Sequence, residues 1–135
     1  ADHVARAIMP ALARGAWVVC DRFLDSSRAY QGGAGGVADA DLLALHRIGS
    51  CGLLPDTTLL LELGADQAGD RLHARDGDSS DAIGGRDAAY HAGVAARFAE
   101  LVTVDPQRFV RIDAAGSPQA VHGRILAALG LPVAC

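Results

Sequence analysis

Short apolar runs set between helical periodicities constrain the fold of this chain more than any other feature. Trp17-Val18-Val19-Cys20 has no polar alternation, Thr57 to Leu61 reads as two threonines followed by three leucines, and Phe109 to Ile112 is a third such run. Runs of this kind suit strands buried on both faces of a parallel sheet. Around them apolar residues return every three or four positions: Val4, Ile8, Ala11 and Leu12; Leu42, Leu45 and Ile48; Tyr90, Val94, Phe98 and Leu101; Val121, Ile125, Ala128 and Leu129. Strands alternating with helices predict βαβ units, hence an α/β fold with a parallel sheet flanked by helices on both faces. No repeat, linker or shift in composition interrupts residues 1–135, which read as a single domain.

Local signals set the boundaries. Pro10 should kink or end the first part of the N-terminal helix, and Gly15 is a C-cap signal. A short helix is expected from Asp25 to Tyr30, followed by a glycine-rich loop from Gly32 to Gly36. Asp39 or Asp41 can cap the next helix, and the stretch from Gly52 to Asp56, with Pro55, is a turn. Asp66 to Arg75 reads as a helix running into a mobile loop, Asp76 to Gly85, rich in Gly, Asp and Ser. Ser117-Pro118 is an N-cap followed by proline at the first helical position, and Gly130 closes that last helix.

Composition narrows the function. A net charge of −4 gives no general attraction for polyanions, which disfavours nucleic-acid wrapping and membrane-surface binding. A phosphate ligand must then be held by a few placed cations. All 12 basic residues are arginine, so chemistry needing a lysine amine cannot come from this chain. The three cysteines, Cys20, Cys51 and Cys135, are far apart and form no zinc pattern, which favours a reducing, cytoplasmic compartment. Neither a leader nor a run of about 18 apolar residues is seen. The five histidines lack metal spacing; His46 and His91 read as helix packing or surface residues.

The chemistry concentrates in Asp21-Arg22-Phe23-Leu24-Asp25-Ser26-Ser27-Arg28-Ala29-Tyr30-Gln31-Gly32. In open α/β sheets, ligands sit beyond the carboxyl ends of the strands, which is where Asp21 and Arg22 fall. An arginine there offers a planar fork to a phosphate or carboxylate. The neighbouring aspartate can orient it or accept from a magnesium-bound water. One helical turn on, two serine hydroxyls, a phenol and an amide suit a polar heterocycle and a sugar. The same residue types also suit a strand-end ion pair followed by a capped helix. Gly33, Gly35 and Ala38 form a G-x-G-x-x-A match, but a dinucleotide fingerprint follows a strand directly and this one follows a helix.

The order of these residues resembles the thymidylate kinase signature: an apolar strand, Asp-Arg-aromatic, then serine and Ala-Tyr-Gln-Gly. Pro10 to Gly15 before Trp17-Val18-Val19, Leu54-Pro55-Asp56 before the second run, and Phe109 to Ala114 are similar to further parts of that family. The resemblance implies a P-loop NTPase-like fold and transfer of the ATP γ-phosphoryl group to dTMP, with Mg2+ accompanying ATP. It further implies that Arg22 contacts the dTMP phosphate with Asp21 in support, that Ser27 bonds the thymine edge with Ser26 steadying the turn, and that Tyr30 lies against the deoxyribose beside Gln31. Phe23 would pack, and Arg28 would lie on a solvated helix face. A lid at about 70–86 would bring Arg71 and Arg75 over the ATP phosphates, with Arg86 a weaker candidate. A homodimer is also implied.

Two departures stand out. The family often has Asp-Arg-(Ile or Phe)-Glu where this chain has Asp81-Ala82-Ile83-Gly84. The G-x-x-x-x-G-K-[ST] loop, whose backbone amides and lysine hold the nucleotide phosphates, is not in the sequence. In the family it lies N-terminal to everything here, so the fold is expected to be incomplete at the N-terminus and the chain alone inactive. Another P-loop nucleoside or nucleotide kinase, or a non-catalytic relative that binds dTMP or dimerises, fits the same residues.

Overall fold

The computed structural model describes residues 2–64, 67 and 88–132. In chain order it has a π-helical stretch (Val4–Ile8), α1 (Met9–Ala13), α2 (Leu24–Ser27) and a second π-helical stretch (Arg28–Gly33). Then come α3 (Asp39–Ser50), β1 (Thr58–Glu62), α4 (Ala88–Val104), β2 (Phe109–Asp113) and α5 (Pro118–Ala128). Described residues within Ala1–Pro55 and Ala88–Leu101 form one compact unit; those within Asp56–Asp87 and Val102–Cys135 form another. No helix among the described residues is long and apolar enough to cross a membrane.

The second unit holds the sheet. β1 and β2 run parallel, in register from Thr58 opposite Phe109 to Glu62 opposite Asp113. Phe109 and Ile112 lie on opposite faces of β2, since side chains alternate along a strand, yet both are buried. The Phe109 face is covered only at that end, since Arg111 and Asp113 on the same side are exposed, so the two-faced burial that the unbroken apolar run predicts is partial. On one face the Arg111 guanidinium donates to both carboxylate oxygens of Glu62, at 2.7 and 2.8 Å. α5 packs on β2 and starts as its sequence dictates: Ser117 Oγ accepts from the Ala120 N–H at 3.3 Å and Pro118 follows. Arg124 reaches back from α5 to donate to the carbonyls of Asp113 and Ala115, tying the helix to the strand's exit.

In the first unit the buried apolar side chains are Val4, Ile8, Leu24, Ala29, Leu42, Val94 and Leu101. Pro10 alters the first helix in the expected place. It has no N–H to donate, and it sits in the first turn of α1, after wide turns in which Met9 N–H reaches Val4 O. The glycine segment is also explained by backbone geometry. A Cβ on Gly35 would lie 2.6 Å from Gln31 O, so only glycine lets the chain fold back over the end of the π-helical stretch.

Three expectations are corrected. Trp17 to Cys20 is not a strand: Trp17 is 73% and Val19 94% exposed, and among the described residues the sheet contains only β1 and β2. Apolar character reports a tendency to be buried, but strand pairing needs a neighbouring backbone to take the N–H and C=O groups. α3 is capped by neither aspartate: its N-cap is Ala38, and Asp39 and Asp41 lie in its first turn, where the helix dipole favours them. The loop from Gly32 to Gly36 starts late, because helical hydrogen bonding continues through Gly33.

Candidate functional site

The segment through Cys20, which has no regular secondary structure, ends in a bend at Asp21 and Arg22, both exposed. Arg22 is held at φ 62°, in the left-handed region. That conformation costs a non-glycine residue about 1–2 kcal/mol, and such outliers gather where surrounding structure holds a group for use. Its guanidinium lies over the Tyr30 ring, with Cζ 5.0 Å from the centroid. That distance fits a cation–π contact between the guanidinium and the ring. Among the described residues no carboxylate pairs with this guanidinium.

Phe23 stands edge-on to His46, ring centroids 5.3 Å apart, and His46 Nε2 is 2.6 Å from Leu53 O. This packing seats the start of α2. Ser26, Ser27 and Tyr30 are half-buried and Gln31 is exposed. The segment changes from α to π hydrogen bonding at Arg28, a widening common at functional sites. Ala29 is fully buried, which turns that side of the segment inward. Tyr30 meets α4: its ring is 6.5 Å from those of Tyr90 and Phe98, and Tyr90 O–H donates to Tyr30 O at 3.4 Å.

Arg28 is not on a solvated face. Its Nε and Nη2 donate to the two oxygens of Asp39 at 2.8 and 2.7 Å, and its side chain is only 13% exposed. Arg97, from α4, meets the same carboxylate at 2.8 Å and is itself held by Glu100 at 2.7 Å. The Arg28 hydrogen bonds, with those from Arg97, hold the Asp39 carboxyl down at about 2 against partial burial. Glu100 first, and then Asp39, push Arg97 above its usual range. Helix spacing alone could not reveal this junction, because its members come from three elements. The available signal was an arginine amid an otherwise legible motif.

The structure thus brings Asp21, Arg22, Ser26, Ser27, Tyr30 and Gln31 together on one bend and the helix after it. Arg71, Arg75, Arg86 and the Asp81-Ala82-Ile83-Gly84 departure lie outside the described residues. Among the described residues no three His, Cys, Asp or Glu side chains gather as a metal site.

A family model described as thymidylate kinase matches residues 1–125. The chain is 50% identical over 129 residues to the thymidylate kinase of Rhizorhabdus wittichii, covering 96% of this chain and 62% of that protein. It is 42% identical over 121 residues to that of a Bradyrhizobium species, covering 89% and 54%. With the Bradyrhizobium diazoefficiens enzyme of the same name it shares 40% identity over 129 residues, covering 95% and 57%. The chain therefore spans between about half and three fifths of the length of these curated relatives.

Proposed function

The chain belongs to the thymidylate kinase family, and from that premise we propose that it supplies the acceptor half of a dTMP kinase, with Arg22 as the grip on the dTMP phosphate. The observation carrying this reading is Arg22: its backbone at φ 62°, its guanidinium 5.0 Å over the Tyr30 ring and unpaired with any carboxylate among the described residues. Arg28, Arg97 and Arg111, by contrast, are engaged by carboxylates. Ser27 reads the thymine edge, Ser26 steadies the turn, and Tyr30 lies along the deoxyribose with Gln31 beside it.

In the proposed reaction an oxygen of the dTMP phosphate attacks the γ-phosphorus of ATP. The bond from that phosphorus to the bridging oxygen breaks, and dTDP and ADP leave. Such transfers are catalysed by positioning and by cancelling charge. Arg22 does both for the acceptor, and Arg71 and Arg75 are proposed for the donor phosphates. Magnesium bound with ATP would supply neutralisation of charge on the phosphates. One exposed carboxylate, Asp21, suits a water-mediated contact with it. The chain contains no lysine, so a lysine on the β- and γ-phosphates would come from outside these residues. The compartment is the cytoplasm. A homodimer is part of the same reading, supported by Leu45 and Ile48, 65% and 83% exposed on one side of α3.

The test is a coupled ADP-release assay on the longest natural polypeptide that contains this chain, with competing nucleoside monophosphates. dTMP should be preferred over purine monophosphates, and the chain by itself should release no dTMP-dependent ADP. A purine preference defeats the Ser27 and Tyr30 roles, and turnover by the isolated chain defeats the division into halves.

A further inference from the structure

The Asp39 junction is not used by the acceptor contacts described above, yet it grips the segment that makes them. Arg28 directly follows Ser27 and stands two residues before Tyr30. Its planar fork meets both oxygens of Asp39, the first residue of α3. A bidentate arginine–carboxylate pair fixes direction as well as distance. Arg97 of α4 holds the same carboxylate from a second direction, so Asp39 cannot swing with Arg28 as a loose surface pair could. The contact continues along the backbone: a Cβ on Gly33 would lie 2.6 Å from Arg97 Cβ, so the end of the π-helical stretch rests against the very residue that clamps Asp39. With Tyr90 O–H on Tyr30 O, the segment is anchored both at its aromatic reader and beside its serines.

We propose that Asp39 is a positioning residue for the acceptor pocket, setting through Arg28 the rotation of the turn that carries Ser26, Ser27 and Tyr30, and so setting affinity and sugar selectivity for the deoxypyrimidine monophosphate. The proposal rests on the acceptor reading above. It also accounts for the burial of Arg28: with its Nε and Nη2 committed to Asp39 and its Nη1 3.8 Å from the Asp25 carboxylate, Arg28 does not compete with Arg22 for the incoming phosphate.

The experiment compares Asp39→Asn, Arg28→Lys and Glu100→Gln in the longest natural polypeptide containing this chain, by steady-state kinetics against dTMP, its ribose counterpart and ATP. Loosening the turn by about one net hydrogen bond's worth of uniform binding should raise the KM for dTMP about tenfold in Asp39→Asn. The KM for ATP should hold, kcat should change little, and the preference for deoxyribose over ribose should fall with the rise in KM. Arg28→Lys keeps the charge without the fork and should give a smaller shift in the same direction. Glu100→Gln, which removes only the outer support of Arg97, should leave the KM for dTMP unchanged. A purely structural role would lower the melting temperature and the active fraction with KM intact, and that result overturns the proposal. If Asp39→Asn does not fold, an unchanged KM in Arg28→Lys overturns it equally. Failure of the unsubstituted polypeptide to phosphorylate dTMP overturns both this inference and the acceptor reading. A normal parent with an unshifted Asp39→Asn overturns this inference alone.

Discussion

Replacing Arg22 by glycine should separate phosphate binding from folding more cleanly than replacing it by alanine. The backbone there sits at φ 62°, where a side chain costs about 1–2 kcal/mol and glycine costs nothing. Against that gain stand the stack on Tyr30, worth about 0.5–1 kcal/mol at an exposed site, and the extra freedom glycine gives the unfolded chain, about 0.4–1 kcal/mol. These terms nearly cancel, so Arg22→Gly should unfold within about 1 kcal/mol of the parent. Arg22→Ala keeps the strain and loses the stack, and should be the less stable of the two. Both lose the guanidinium. Hydrogen bonds to charged groups are worth about 1.5–3 kcal/mol, so dTMP should bind about 10- to 150-fold more weakly in either variant. Denaturant melts give the first quantity and calorimetric titration with dTMP the second. If Arg22→Gly keeps the parent's dTMP affinity, the guanidinium is not the phosphate ligand. If it is destabilised by several kcal/mol, the left-handed backbone is not held against strain as argued.

The Asp39 carboxyl, held at about 2 instead of 3.8, contributes stability that is complete above about pH 4 and drains away as the pH falls toward 2. The gap between 3.8 and about 2, at about 1.4 kcal/mol per pH unit and discounted for a side chain that is 32% exposed, leaves about 1–2 kcal/mol. An acid titration of unfolding should therefore show a shallower limb between pH 4 and 2 in Asp39→Asn, and parallel limbs would remove the argument. Gly33→Ala would set a Cβ 2.6 Å from Arg97 Cβ and 3.0 Å from its Cγ, so overpacking should cost about 1–3 kcal/mol in a denaturant melt. Ser117→Ala removes the cap on α5 and should cost about 1 kcal/mol, read the same way; no change would mean the 3.3 Å bond to Ala120 is not contributing.

Much of the fold was legible because its signals are local. The leucine run of β1, the Phe109 run of β2, the Ser117-Pro118 start of α5 and the periodicity of Tyr90 to Leu101 each specify an element within one or two turns of chain. The segment from Asp21 to Gln31 was legible for the same reason, since it is one continuous stretch whose order carries the family likeness. Trp17 to Cys20 shows the limit: four apolar residues announce a strand, but a strand exists only beside another, and that is a property of the neighbourhood.

By itself the sequence determined the family, the identity of the β1 and β2 strands, and which side chains stand in the Asp21 to Gln31 segment, all through residue order and spacing. Tertiary structure alone decided that Arg22 turns left-handed onto Tyr30, and that Arg28 is committed to Asp39 while Arg22 is left unpaired among the described residues. The physical reason is that a guanidinium binds whichever carboxylate comes within about 3 Å with its oxygens in the plane of the fork. Arg28, Asp39 and Arg97 become neighbours only when three separate elements pack, and nothing in the spacing of any one of them states who will meet.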